Sequence, residues 1–294
     1  MARTAVLAAL SLSLLGAVVG PPLLHKWQLI EGKHWQILSS SVAEDVAVTD
    51  AAERTRGRCL PGMVEVAGRM KVDGWGYLDG VDNLQKRTCV DWLARAYPER
   101  CETFDRARWL SLSKDVPTQP VHVCIDRFEF PNRRGAYPWI MVTWTEAKAI
   151  CQREGKRLCT EAEWTFACEG EEAMPYPDGY DRGEDQCVED RASRPVAADE
   201  LVPRDSVRAE AELDKLWQGE PSGSRPRCKS VFGVYDMTGN VDEWTSSVIA
   251  GERPSILKGG YWGPVRNRCR PSTRAHGEDF AFYQQGFRCC ATPS

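Results

Sequence analysis

Twelve cysteines constrain the fold of this 294-residue chain more than any other feature of its sequence. The number is even, and no Cys-x-x-Cys pair occurs. The four histidines are widely separated, so tetrahedral zinc sites are a poor explanation of the thiols. An oxidising compartment would join the cysteines as disulfides, whereas a reducing cytosol would leave twelve thiols without evident use. The sequence therefore predicts an exported, disulfide-rich protein.

The N-terminal residues also indicate export. Residues 1–24 carry one positive charge, at Arg3, before an apolar run with small residues near its end. This is the pattern of a secretory signal peptide, with Gly20 as the candidate cleavage point. Two prolines follow Gly20 and disfavour cleavage, and Ala5–Leu24 is just long enough to span a bilayer, so an uncleaved membrane tether is the alternative. In both cases we expect a periplasmic, cell-envelope or secreted protein.

Composition and local texture predict one domain behind a linker. The formal net charge is −4, from 38 basic and 42 acidic residues, which leaves no basic excess for nucleic acid as a partner. Residues 25–58 are polar and favour a linker or stalk, with plain disorder as the alternative. From Cys59 apolar and polar residues alternate, which predicts an opening strand pair and a domain over 59–294. Within that domain, 79–118 and 169–230 look like insertions.

Two capping boxes predict a pair of helices that pack on a sheet. Thr143 and Glu146 place a hydroxyl and a carboxylate at the spacing that closes a first helical turn. Thr160 and Glu163 repeat this spacing, and apolar residues at helical intervals follow both boxes. A strand is expected before them, over residues 121–132, and one further helix in the second insertion.

The first insertion contains a segment whose spacing favours a helix. Apolar residues recur at helical intervals from Trp92 to Tyr97. Cys89 and Cys101 bracket this segment, so a local disulfide is the expected use of both cysteines.

The stretch Tyr235–Trp244, YDMTGNVDEW, carries the clearest functional pattern. Asp236 and Glu243 flank a Gly-Asn turn, which places inward carbonyl oxygens between two carboxylates. Calcium prefers this mixture of carboxylate and carbonyl oxygens. A solvated acidic turn without an ion is the alternative interpretation.

Four motifs, in the same order, resemble those of the formylglycine-generating enzymes, also called sulfatase-modifying factors. They are VTWTEAKAICQREGKRLCTEAEWTFACEG, FGVYDMTGNVDEWTSS, LKGGYW and GFRC, and the resemblance extends over residues 59–290. It implies an α+β fold of the formylglycine-generating-enzyme type. Such a fold is an elaborated C-type-lectin-like fold with much irregular structure and bound calcium.

The resemblance assigns residues to the calcium site. The implied ligands are the side chains of Asp236 and Glu243 and the carbonyls of Gly239 and Val241. Asp242 stands where the family has a tryptophan, and this departure is expected to alter the neighbouring groove.

The resemblance also implies an oxidase chemistry for which this chain lacks residues. Enzymes of the family oxidise a cysteine of a client sulfatase to formylglycine, using oxygen and copper held by two cysteines after a Gly-Gly pair. Soft thiolates suit Cu(I), and such a site needs both. Counted forward from Gly259-Gly260, the first position is Pro264 and the second is Cys269. Copper is therefore not expected, and Cys269 is the only candidate catalytic residue.

A count backward from Cys289 in GFRC matches Cys269 to a structural cysteine of the family instead. The disulfides implied are then Cys168–Cys269 and Cys151–Cys289, with a shortened loop after the Gly-Gly pair. This count is favoured, because a leftover thiol at Cys168 would be unexpected in an oxidising compartment. For the other eight cysteines we expect Cys89–Cys101, Cys187–Cys228, Cys59–Cys124 and Cys159–Cys290, although sequence alone does not fix connectivity.

The segment that follows Gly260 predicts the lip of a groove. Its candidate lining residues are Tyr261, Trp262, Arg268 and Arg274. The arginines would face an acidic or carbonyl-rich peptide. The favoured interpretation of the arginines is instead that they are paired structural residues in a fold with many irregular backbone carbonyls.

These features favour an exported, non-catalytic module that binds an extracytoplasmic protein or peptide ligand and keeps the calcium turn. An active oxidoreductase with a rearranged metal site is the alternative function, and a purely structural component of an envelope complex is the third. Histidine-bound iron and a Ser/His triad are not expected, because nothing in the sequence positions His122, Ser272 or His276 for them.

Overall fold

In a computed structural model of the chain, residues 29–38, 58–73, 78–183 and 186–294 are described. The signal or anchor prediction for 1–24 lies outside these residues, as does most of the linker. No helix within the described residues is long and apolar enough to cross a membrane.

The chain folds into short strands and helices joined by long irregular segments. The helices are α1 (Asp79–Lys86), α2 (Arg106–Ser113), α3 (Trp144–Arg153), α4 (Glu161–Glu169) and α5 (Val207–Leu216), with a 3-10 helix at Ala198–Leu201. The strands are β1 (Leu29–Glu31), β2 (Gln36–Leu38), β3 (Met63–Lys71), β4 (Cys89–Ala94), β5 (Arg100–Phe104), β6 (Thr118–Asp126), β7 (Trp139–Ile140), β8 (Arg157–Leu158), β9 (Asp242–Ser246), β10 (Ser255–Lys258), β11 (Ser272–Thr273), β12 (Gln285–Phe287) and β13 (Cys289–Ala291). The fold is α+β, as predicted.

One four-stranded sheet has the order β3-β6-β13-β8. Strands β3 and β6 pair along their whole length, from Met63 opposite Asp126 to Lys71 opposite Thr118. Val64 and Val66 of β3 point to the interior while Glu65 points to solvent, which is the alternation that a sheet with one buried face requires. The buried face packs on α4 around Trp164, Phe166 and Cys168. Met63–Lys71 is a single strand, so the expected opening strand pair is instead one strand paired with β6.

A second four-stranded sheet, of order β11-β10-β9-β12, carries the region of interest. Strand β12 runs parallel to β9 and sets Gly286 opposite Glu243. Strand β10 pairs antiparallel with β9 on its other side, with Lys258 opposite Glu243. The Asp/Glu turn and the Gly-Gly pair therefore lie at the same end of one sheet.

Both predicted capping boxes are confirmed. In α3, Thr143 Oγ1 accepts a hydrogen bond from the Glu146 amide (3.1 Å), and Glu146 Oε2 accepts one from the Thr143 amide (3.0 Å). Thr160 and Glu163 form the same reciprocal pair at the start of α4, with distances of 3.2 and 2.8 Å. The helix predicted in the second insertion is α5.

The helix predicted around Trp92 is wrong, because this segment is the β4–β5 hairpin. The predicted disulfide explains the difference. Residues twelve apart on a continuous helix would be separated by about 18 Å, which is far beyond the Cα reach of a disulfide. Cys89 and Cys101 are in fact bonded across the hairpin, with Cα atoms 6.0 Å apart.

The linker prediction is wrong for residues 29–38. They form a β1–β2 hairpin that joins β7 in a three-stranded sheet, with Ile37 opposite Ile140. Trp35, Ile37 and Leu38 are buried, and Trp35 Nε1 donates to Asp214 Oδ1 on α5 (2.7 Å). Three buried apolar side chains within four residues contribute to the core, which a solvated stalk cannot do.

All twelve cysteines, each within the described residues, are joined in six disulfides. The pairs are Cys59–Cys124, Cys89–Cys101, Cys151–Cys289, Cys159–Cys290, Cys168–Cys269 and Cys187–Cys228. These are the six pairs that the sequence analysis expected. Six disulfides indicate an oxidising, extracytoplasmic environment.

Candidate functional site

The turn before β9 approaches the Gly-Gly pair through backbone that only glycine fits. Gly239 has φ +74°, and a Cβ there would lie 2.3 Å from the carbonyl oxygen of Val188. Gly259 has φ +86°, and its Cβ would lie 2.8 Å from the carbonyl oxygen of Met237. The Gly239 amide donates to the Gly259 carbonyl (3.2 Å). The two glycines therefore let the turn and the end of β10 pack at backbone contact distance.

Three buried carboxylates surround this turn, and one buried arginine faces them. We call Glu129, Asp236, Glu243 and Arg288 the buried acid cluster. Arg288 donates to both oxygens of Glu243, from Nε to Oε2 (2.7 Å) and from Nη2 to Oε1 (2.6 Å). Trp164 Nε1 also donates to Glu243 Oε2 (2.8 Å). Glu243 is thereby fixed in a bidentate ion pair that solvent does not reach.

The other two acids of the cluster accept neutral donors. Asp236 Oδ2 accepts from the Gly223 amide (2.7 Å). Glu129 accepts from Ser222 Oγ (2.7 Å) and Asn240 Nδ2 (2.8 Å), and the Val241 amide approaches its second oxygen (3.3 Å). These bonds order the turn, but they leave two carboxylates without a cation of their own.

The electrostatics of the cluster reflect this imbalance. Burial raises the pKa of Asp236 to about 7, with the negative charge of Glu243 adding to the rise. Burial also raises the pKa of Glu129 well above its usual range, and the charges of Asp236 and Glu243 raise it further. If all three carboxylates were ionised, one guanidinium would leave an excess of negative charge in a volume closed to water.

Carboxylate and carbonyl oxygens are the donor types that a hard divalent cation prefers. Asp236 and Glu243 supply carboxylate oxygens, and Gly239 and Val241 lie on the same turn. Among the described residues, however, no group of three or more His, Cys, Asp or Glu side chains is arranged so that it could hold a metal ion. Arg288 engages both oxygens of Glu243 in the arrangement seen.

A second ion pair, between Asp242 and Arg266, contacts the Gly-Gly pair at the Gly260 amide. Asp242 is buried, and its Oδ1 accepts from the Gly260 amide (3.2 Å) and from Arg266 Nη2 (3.0 Å). Arg266 Nη2 also reaches the Leu257 carbonyl (3.2 Å). Burial raises the pKa of the nearby Tyr261 phenol, and the Asp242 charge adds to the rise.

The groove prediction is wrong for Trp262 and Arg268, because both residues lie in the interior. Trp262 is buried against Trp217, with ring centroids 4.7 Å apart. Arg268 is buried with Nη1 2.9 Å from Asp82 Oδ1, and it donates to Gln85 Oε1 (2.8 Å). The physical reason is aromatic packing for Trp262 and charge pairing for Arg268, and the latter agrees with the favoured structural interpretation of the arginines.

Arg274 and Tyr261, the other two groove candidates, are half-buried and do not form one cavity. Arg274 pairs with both oxygens of Glu161 at 2.9 Å and lines a cavity of about 170 Å³ beside Ser247. A larger cavity of about 670 Å³ lies between Arg58 and Ser294, and none of the four candidates lines it. The structure does not bring the predicted groove residues together.

Comparison with known proteins assigns the chain to a family. The family model of the sulfatase-modifying factor enzyme 1-like domain matches residues 102–293, which is more than half of the chain. The chain belongs to this family. The α+β fold of the formylglycine-generating-enzyme type that the four motifs implied is therefore confirmed.

Curated relatives in the sulfatase-modifying factor family carry two kinds of name. The chain is 29% identical over 178 residues to the inactive C-alpha-formylglycine-generating enzyme 2 of Mus musculus, covering 53% of this chain and 49% of the relative. It is 31% identical over 181 residues to the formylglycine-generating enzyme of Mus musculus, covering 54% and 45%. It is 30% identical over 188 residues to that of Mycobacterium tuberculosis, covering 54% and 59%. The chain spans about half the length of the curated relatives it matches.

Solved structures resemble the chain only distantly. PvdO from Pseudomonas aeruginosa aligns at 18% identity over 80% of this chain and 97% of its own, with a TM-score of 0.47. CarF aligns at 15% identity over 79% and 98%, with a TM-score of 0.43.

The forward count from the Gly-Gly pair, made by resemblance to the sulfatase-modifying factor family, requires a free thiol at position 269. In the structure this cysteine is part of a disulfide instead. Cys269 is bonded to Cys168 on α4, with Cα atoms 5.5 Å apart. Pro264 occupies the other counted position. Cys269, the one candidate catalytic residue, is therefore a structural half-cystine.

Sequence reasoning assigned no role to Glu129 or Arg288, which complete the buried acid cluster. Arg288 was visible in GFRC, but a sequence does not show which carboxylate a buried arginine meets. Glu129 stands between Phe128 and Phe130, and an acid flanked by two large apolar residues was the available signal that it is buried.

Proposed function

We propose that the chain is an exported, non-catalytic binding domain of the sulfatase-modifying factor family, with a protein or peptide as its ligand. The observation that carries this proposal is the pairing of all twelve cysteines. The resemblance implies that the family's oxidation of a client cysteine needs copper on two thiolates, and only a free thiol can supply a thiolate. The match to relatives named inactive supports the same conclusion. Export is supported by the signal pattern and by the disulfides.

The folded, unreduced protein is expected to contain no titratable thiol and to bind no stoichiometric copper. Thiol titration in denaturant, with metal analysis of the same sample, measures both, and full reduction should then release the twelve thiols of the sequence. The same preparation should leave the cysteine of a sulfatase-derived peptide unmodified. Two or more free thiols with bound copper and formylglycine in the peptide would establish the alternative, an active oxidoreductase.

We also propose that the buried acid cluster holds calcium through the side chains of Asp236 and Glu243 and the carbonyls of Gly239 and Val241. When bound, the ion would neutralise the excess negative charge of the cluster. The high pKa of Asp236 and the three buried carboxylates around one turn support this assignment. The role of such an ion in this chain is structural, because it would fix the turn before β9.

Calcium is expected to raise the melting temperature of the wild-type protein, and Asp236→Ala should abolish that rise. At a calcium concentration of about 100 times its Kd, the stabilisation would be about 2.7 kcal/mol. In chelator the variant should melt near the wild type, because removal of one carboxylate also relieves repulsion in the cluster. Asp115→Ala, at an exposed acid outside the cluster, is the matched control. An equal loss for Asp236→Ala in calcium and in chelator would exclude the ion.

A further inference from the structure

Five cations without a carboxylate ion pair in the described residues stand on three chain segments that meet at Tyr235. We call Arg127, Arg133, Arg134, Arg227 and Lys229, with the Tyr235 ring among them, the basic face. Arg133, Arg134, Arg227 and Lys229 are exposed, and Arg127 and Tyr235 are half-buried. None of these residues belongs to the buried acid cluster or to the Asp242–Arg266 ion pair.

The basic face is held in place by backbone and ring contacts. The Tyr235 amide donates to the Arg127 carbonyl (2.9 Å), and Tyr235 forms an isolated antiparallel bridge with Lys229. The Tyr235 ring stacks on Phe128 at 5.2 Å between centroids. The Arg134 guanidinium lies 5.6 Å from the Tyr235 centroid, and the Lys229 ammonium lies 6.0 Å from it. These contacts fix two cations beside one aromatic ring before any ligand arrives.

The cations of this face differ from the buried arginines of the protein. The chain has a net charge of −4, and its buried arginines meet acids, as Arg270 meets Glu169 at 2.6 Å. In the described ranges, by contrast, none of the five cations of the basic face forms an ion pair with a carboxylate. Arg127 donates instead to the Gly233 carbonyl (3.2 Å). The charge of Arg227 lowers the pKa of Asp178, although burial raises that pKa overall.

We propose that the basic face docks an acidic segment of a partner protein, rich in Asp and Glu. Four of its five cations are guanidinium groups, whose planar donors match carboxylates in bidentate pairs. Val231 lies on the same segment, between Lys229 and Tyr235, and its side chain is 65% exposed. An exposed apolar side chain on the same segment as Lys229 favours a peptide over a purely ionic polymer or a headgroup layer. The inference extends the proposed binding function and rests on it.

The test is a fluorescence-anisotropy titration of the intact protein with a fluorescein-labelled peptide of alternating Glu and Ala. Wild-type protein should bind it saturably, more weakly as salt rises. Arg134→Glu/Lys229→Glu should lower the affinity by about 30-fold or more, since both reversals place like charges against the ligand. The matched control Arg87→Glu/Arg108→Glu reverses two exposed arginines outside the face and should change the affinity less than about 2-fold. Thermal unfolding of both variants should resemble that of the wild type.

Three results would overturn the inference. They are no saturable binding by wild-type protein, an equal loss in both double variants, or stronger binding to heparin or to phosphatidylglycerol vesicles than to the peptide. A failure here is distinguishable from a failure of the proposed function. If the protein has no free thiol and the peptide does not bind, the proposed non-catalytic function is supported and the proposed docking surface is excluded.

Discussion

Removal of both Cys151–Cys289 and Cys159–Cys290 is expected to lower the free energy of unfolding by about 6 kcal/mol, more than the two single removals together. The two bridges join the same pair of chain segments, with sequence separations of 138 and 131 residues. With one bridge intact, the other closes an effective loop of only about 10 residues, so its removal should cost about 2–3 kcal/mol. With both removed, the next constraint is Cys168–Cys269, and the unfolded chain regains a loop of about 30 residues.

The measurement is urea unfolding under non-reducing conditions, with each bridge replaced by a pair of alanines. Cys89→Ala/Cys101→Ala removes the short hairpin bridge, which has a separation of 12 residues, and serves as the control. Its cost should add to that of either long bridge, because the hairpin shares no chain segment with them. Simple additivity of the two long bridges, within about 0.5 kcal/mol, would contradict the prediction.

Arg288→Ala is expected to destabilise the protein by about 3–5 kcal/mol in the presence of a chelator. The substitution leaves the Glu243 side chain buried without its bidentate partner, beside Asp236 and Glu129. It also removes the donor to the Tyr235 carbonyl (2.8 Å). The loss arises mainly from the uncompensated charge, and less from the removed side-chain volume.

A second variant separates these two causes. Arg288→Ala/Glu243→Gln removes the uncompensated charge together with the arginine, and it should recover a substantial part of the lost stability. Denaturant unfolding gives the four free energies of the cycle. If the double variant is as unstable as the sum of the two single variants, charge pairing is not what Arg288 contributes.

The features that could be predicted from the sequence are those fixed by short spacings between residues or by the even number of cysteines. The capping boxes at Thr143 and Thr160 depend on residues three positions apart, so local chemistry decides them. The family resemblance implied Cys151–Cys289 and Cys168–Cys269, and the bracketing of one segment indicated Cys89–Cys101. The other three pairs were expected, but no spacing in the sequence fixes them. In contrast, the helix predicted around Trp92 failed, because apolar spacing over a few residues does not distinguish a helix from a bulged hairpin.

The candidate site was less predictable, because it depends on contacts between distant segments. The sequence around Trp262 and Arg268 indicated that both residues line an exposed groove. In the structure Trp262 packs against Trp217 and Arg268 pairs with Asp82, so both are buried. Glu129 meets the turn at Asn240 across 111 positions of sequence. No local pattern encodes such a contact, so sequence reasoning found the turn and missed the residues that enclose it.

The last two strands, β12 and β13, belong to different sheets. Strand β12 completes the sheet that holds the turn before β9, and β13 lies between β6 and β8 in the other. Without residues 285–291, the second sheet lacks its edge strand beside β9, and β8 is not joined to β6. The pairs β3–β6, β4–β5 and β9–β10 need neither strand, so we expect the joining of β8 to β6 through β13 to be among the later steps of folding.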